Sequence, residues 1–218
     1  MVPFPIPAAP PGHTPLVCID PGHANRPNLT LEPIGPGSSI LKIKDGGGTA
    51  GEAAFNLAVG LKLRRLLLLR DLRVAMTRTG RTLTLPQGGN IARTRFCNVR
   101  HAALEIRIHA DGSTNTAQHG AKTLYPAWHA GWTSDVYRPS LRAARIVQRW
   151  LIARTGAANL GLVRRSDITG FNWANVPVVL VECGFLTNPA ERAKLTSPAY
   201  QWRIARGLAT AAVRFTGT

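Results

Sequence analysis

The chain has 218 residues, 44% of them hydrophobic, and carries a formal charge of +16 from 27 cationic against 11 acidic side chains. That length and apolar content suit one folded domain with a sizeable core and exclude a disordered polymer. No apolar run approaches the roughly 20 residues that span a bilayer. Of the cations 22 are arginine, scattered along the chain rather than gathered in a tail, so the surface should attract polyanions in a salt-dependent way. Nucleic acid, an anionic cell-wall polymer and lipid headgroups all satisfy that charge. No zinc-finger or RNA-recognition signature favours the first.

Residues 1–14 are proline-rich and read as an extended arm ahead of a single domain over 15–218. The opening Met1-Val2-Pro3-Phe4-Pro5-Ile6-Pro7 lacks a basic start and an unbroken apolar stretch, so no signal peptide is expected. A strand follows at about 15–20, then a long Gly-, Pro- and Asn-rich segment over 24–49. Its middle, Ser39–Lys44, alternates and suggests a short hairpin arm. Segments of this length are usually functional, and this one leaves directly from His23. Thr49-Ala50-Gly51-Glu52 has the form of a capping box, opening a helix that runs to about Arg70.

Further strands are expected at 72–77, 104–109, 120–125 and 177–182, and further helices over about 87–103, 139–155 and 198–214. Asn188-Pro189 opens a short helix by N-cap and first-turn proline logic. The stretch Arg164–Asn175 reads as a loop. Strands alternating with such helices predict an α/β domain: a mostly parallel, twisted sheet of about six strands with helices on both faces. Cys18, Cys97 and Cys183 are too few, and odd in number, for a disulfide scaffold. Buried small hydrophobes are the simplest reading; one disulfide is compatible, with a pairing the sequence does not specify.

Three apolar runs end on residues that ligate metals or move protons. Val17-Cys18-Ile19-Asp20-Pro21-Gly22 delivers His23, Leu104–Ile108 delivers His109, and Pro177–Val181 delivers Glu182. In open α/β sheets ligands bind outside the carboxyl ends of the strands, so parallel strands would set these residues along one rim. Two histidines and a glutamate with an open fourth position suit zinc. Glu52, at the start of its helix, and Glu182 are the two carboxylates within reach. One would ligate while the other moves protons, and spacing does not say which. Each residue has an ordinary structural explanation, such as a cap, a turn or an arginine partner. Four meeting by accident at one sheet edge is the weaker account.

These residues resemble the zinc-dependent N-acetylmuramoyl-L-alanine amidases, a family typified by bacterial cell-separation and sporulation enzymes. Ile19–His23, Gly51-Glu52 with Asn56-Leu57, Val74–Arg78, Ile108-His109-Ala110-Asp111, and Pro177–Glu182 with Gly184–Asn188 follow that family's blocks in order, over about 16–213. The resemblance implies one Zn2+ per chain on His23, Glu52 and His109, with Glu182 as the catalytic carboxylate. It also implies Asp20, Asn56, Arg93 and Asp111 in supporting or substrate-binding positions. The reaction implied is hydrolysis of the amide between N-acetylmuramic acid and L-alanine in peptidoglycan. Action would be at the cell wall, in the periplasm or after release, by a monomer held partly through its basic surface. The chain departs from the pattern in its long 24–48 segment, in Asp111 where Asn is common, and in Arg107 where a small residue is usual. The long segment also motivates an alternative: a catalytically restrained wall-binding or regulatory module on the same fold. A zinc peptidase of another class is less well supported, since H-E-x-x-H is absent.

Overall fold

The computed structural model describes residues 14–86 and 88–218, so the proline-rich arm falls, but for its last residue, outside the described residues. Six strands form the main sheet: β1 (Leu16–Pro21), β4 (Arg73–Met76), β5 (Leu104–Asp111), β6 (Ala121–Pro126), β7 (Asn159–Arg165) and β8 (Val178–Phe185). Their order across the sheet is β4-β1-β5-β8-β6-β7. The apolar runs β1 and β8, with β5 between them alternating apolar residues with Glu105, Arg107 and His109, occupy its middle, where a strand is covered on both faces.

Alternation along these strands divides the core in two. Val17, Ile19, Ile106, Ile108, Val179 and Val181 face a layer made by α1 (Glu52–Leu68), α3 (Tyr137–Thr155) and α6 (Pro198–Thr216). Leu16 and Cys18 face α2 (Gly89–Asn98), and Val178 and Leu180 pack with Phe171 of α4 (Thr169–Asn172). Each Leu, Ile or Val buried this fully contributes about 1.5–3 kcal/mol. Cys18 and Cys97 are joined by a disulfide that ties β1 to α2 across a separation of 79 residues, while Cys183 is free and buried. A cross-link of that span typically adds about 2–4 kcal/mol.

Helices cover both faces as the pattern requires, and the sheet is mostly parallel as expected, with one antiparallel pairing. Strands β4, β1, β5 and β8 run together, and β6 lies antiparallel to β8 with β7 parallel to β6. The cause is the helix-free connection between β5 and β6, since a parallel crossover needs a longer link. Strand β7 itself takes up the start of the stretch read as a loop, and α4 interrupts the rest. The helix expected over 87–103 stops at Asn98, where the chain turns through a left-handed His101 (φ 49°) to enter β5. The 24–49 segment is an antiparallel hairpin, β2 (Asn28–Pro33) and β3 (Leu41–Asp45). The short helix α5 (Pro189–Thr196) opens as expected, with the Asn188 side chain accepting from the Glu191 amide.

Candidate metal centre

Strand β1 ends in a turn that is clamped from several sides. Arg78 donates to the carbonyls of Pro21 and Gly22, Arg93 to those of Pro21 and His23, and Asn56 to that of Gly22. His23 is thereby held in the left-handed region at φ 56°, which few non-glycine residues adopt. Gly22 is needed for a different reason: a Cβ there would stand 2.2 Å from Cε1 and Nε2 of His109, so the His109 ring lies flat on bare backbone.

The two imidazoles meet edge to face, with centroids 4.9 Å apart, and Glu52 lies between them. Glu52 Oε1 is 2.9 Å from His109 Nδ1 and 3.3 Å from His23 Nε2. Its other oxygen accepts the Thr49 amide at 2.8 Å. That is one half of the expected capping box. The other half does not form: the helix N-cap is Gly51, with no side-chain cap. Glu52 therefore fulfils both readings, Oε2 closing the helix start and Oε1 facing the histidines.

The carboxylate that fixes His23 was not singled out in the sequence. Asp45, the last residue of β3, accepts from His23 Nδ1 at 2.5 Å, which leaves Nε2 pointing inward. Its sequence signal was an acid closing an alternating run just ahead of Gly46-Gly47-Gly48. The hairpin that presents it is fastened by Glu32, which accepts the first amides of α2 at Asn90 and Ile91.

The electrostatics follow from this crowding. Burial works to lower the His23 pKa, but hydrogen bonds to Asp45 and Glu52 outweigh it and raise it to about 9. Burial works to raise Glu52, and His109 and His23 override it, holding the carboxyl well below its usual range. Burial lowers His109 against the pull of Glu52. Glu182 sits opposite His109 in the β5–β8 register, and its Oε2 is shielded from solvent with no hydrogen-bond partner among the described residues. Burial first, then Asp111 and Glu52, raise its pKa well above the normal carboxyl value, with Lys122 opposing.

Of the supporting candidates, Asn56 and Arg93 hold the turn, and Asp20 lies beneath it. Asp20 accepts from Thr77 at 2.5 Å and from Arg93 at 2.7 Å, with Arg107 at 3.1 Å. Burial would raise its pKa, but the two arginines and the hydroxyl hold it low. Asp111 instead forms an ion pair with Lys122 at 2.6 Å. Arg107, the departure noted above, is fully buried and also donates to Asn90.

The donor atoms of His23, Glu52 and His109 lie within 4.8 Å of one another. Two imidazole nitrogens and one carboxylate oxygen, converging with one histidine already oriented by Asp45, fit a divalent metal of zinc type. The profile of the N-acetylmuramoyl-L-alanine amidase family matches residues 17–214. The chain belongs to this family. It is similar to the crystal structure of the amidase Ami1 from Mycobacterium smegmatis, at TM-score 0.81 and 29% identity over 93% of this chain and 97% of that one. It is also similar to the amidase Rv3717 of Mycobacterium tuberculosis, 28% identical over 219 residues, covering 93% of this chain and 87% of the relative. A germination-specific amidase of Bacillus subtilis is 25% identical, over 92% of this chain and 79% of the relative. In this amidase-family protein the triangle of His23, Glu52 and His109 is positioned to bind a metal.

Proposed function

We propose that the protein is a peptidoglycan hydrolase that cleaves the amide between N-acetylmuramic acid and the first L-alanine of the stem peptide. It would use one Zn2+ on His23, Glu52 and His109, with Glu182 as general acid and base. The observation that carries this reading is the convergence of three donor atoms within 4.8 Å, one of them on His109 directly opposite Glu182 in the sheet, in a chain of the amidase family. Zinc in such a site polarises a carbonyl and brings the pKa of bound water to about 7.

The protein's own groups have separable tasks. Asp45 accepts a hydrogen bond from Nδ1–H of His23, a tautomer that leaves the Nε2 lone pair free as a ligand. Arg78, Arg93 and Asn56 hold the turn on which His23 stands. Glu182 accepts a proton from the attacking water and returns it to the alanine nitrogen as the carbon–nitrogen bond breaks. The products are a lactyl carboxylate and a free amine. An acid whose pKa is raised by burial retains the proton long enough to deliver it. Action at the wall fits the family, and among the described residues no helix is long and apolar enough to cross a membrane.

The test is digestion of purified peptidoglycan. New L-alanine amino termini without new reducing ends are expected from the wild type, lost on chelation. Glu182→Gln should retain zinc and lose about 10² to 10⁴ in rate. Zinc bound at one per chain without any release would instead identify a restrained wall-binding module.

A further inference from the structure

The +16 charge is not spread evenly over the molecule. Helices α1, α3 and α6 form one layer, and the only carboxylate in all three is Glu52, which faces the metal centre. On α3, Arg138, Arg142, Arg145 and Arg149 recur at helical spacing and so fall along one stripe, about 16 Å long at 1.5 Å per residue. On α6, Arg203, Arg206 and Arg214 do the same. The stripes run antiparallel and close together. Gly207 of α6 abuts Trp150 and Leu151 of α3, where a Cβ would come within 2.9 Å of the Trp150 carbonyl. Farther along, Arg142 reaches the carbonyl of Phe215. Helices in such contact have axes about 8–10 Å apart. Apart from Arg138, these arginines form no ion pair with a carboxylate among the described residues.

We infer that this double row of arginines on α3 and α6 is a docking surface for a linear, phosphate-bearing polymer of the cell wall, holding the enzyme beside its substrate. The choice of a wall polymer rests on the amidase reading above. A chain of regularly spaced phosphates complements two parallel rows of guanidinium groups, each able to grip an oxyanion with paired N–H donors. A bilayer fits less well, because surface helices that bind lipid bury large apolar side chains. The exposed large hydrophobics of this protein include none on α3 or α6. Trp150 lies under Arg154, and Trp202 under Lys62 and Arg65. The surface is built for charge.

The experiment uses the full chain and long-chain inorganic polyphosphate as probe, with binding followed by anisotropy across a sodium chloride series. The quadruple variant R145Q/R149Q/R206Q/R214Q is compared with R73Q/R95Q/R100Q/R164Q, which removes the same charge from exposed positions elsewhere. The row variant should bind at least 10-fold more weakly, with a log–log salt slope shallower by roughly three. The control should change by less than 3-fold. Equal weakening in both, or none in either, would overturn the assignment to this face. Tighter binding of duplex DNA, or of vesicles rich in anionic lipid, at the same salt would overturn the choice of occupant. Amide cleavage is scored separately on soluble muropeptides, where the row variant should match the wild type. On intact walls it should release less. An inactive wild type that still binds polyphosphate through these rows would sink the amidase reading and leave the docking surface standing.

Discussion

Two buried clusters of charge lie within a few residues of each other, and they are built on opposite principles. Beneath the β1 turn, Asp20 and Glu105 share the interior with Arg93 and Arg107, so the protein contributes both signs itself. Above the turn, Asp45, Glu52 and Glu182 surround two histidines, and Glu52 is paired with both imidazoles. The lower cluster balances its charges internally, although both Glu105 oxygens lack a hydrogen-bond partner among the described residues. The upper one calls for a cation or a proton, the direction in which Asp45 and Glu52 push the His23 pKa. Burial alone therefore does not mark an active site. What marks it here is a carboxylate paired with imidazoles, which can release a proton to make way for a metal, rather than with arginines, which cannot.

The comparison can be broken at either end. The largest stability effect should come from Asp20→Asn, which leaves two buried guanidinium groups short of their counter-charge. A loss of about 3–5 kcal/mol is expected in chemical denaturation, and a change below 1 kcal/mol would show that the lower cluster is not the keystone described here. Asp45→Asn should act in the reverse manner, with unfolding nearly unchanged and zinc affinity reduced about 10- to 100-fold in a competition titration. An unaltered affinity would mean that the hairpin merely touches His23.

A pH-dependent effect concerns Glu105. Burial, opposed by Arg107, raises its pKa to about 8 from an ordinary 4.5. Between those values the folded state holds a proton that the unfolded chain has lost, so this group lowers stability as pH rises from about 4.5 to 8 and adds no slope above that. Glu105→Gln removes the titration, and its melting temperature should fall less than the wild type's over that window. Parallel curves would place the charge elsewhere in the network.

Much of this arrangement was legible before any coordinates. The runs leading to Asp-Pro-Gly-His, Ile-His-Ala-Asp and Val-Glu put three chemical groups near the carboxyl ends of strands, though β5 and β8 run on past His109 and Glu182 to Asp111 and Phe185. Parallel pairing of β1, β5 and β8 carries the groups to one rim. Those features are local: periodicity sets the strand and the terminal residue sets the chemistry. The capping role of Glu52 could be read from four consecutive residues, though the Thr49 hydroxyl takes no part in the cap.

The remainder belongs to long-range contact. Asp45 became a partner of His23 only because the β2–β3 hairpin folds back across 22 residues, and register between separate segments is not encoded in either one. The reversal of β6 depended on a short link, the Cys18–Cys97 bridge on α2 crossing β1, and Arg107 on a counter-charge from another strand. Arginine spacing along α3 and α6 was likewise visible in the chain, but not that the two helices lie side by side. Sequence determined which groups each element presents and on which face. Tertiary structure decided which of those faces meet, because pairing energies depend on neighbours that the local chain does not contain.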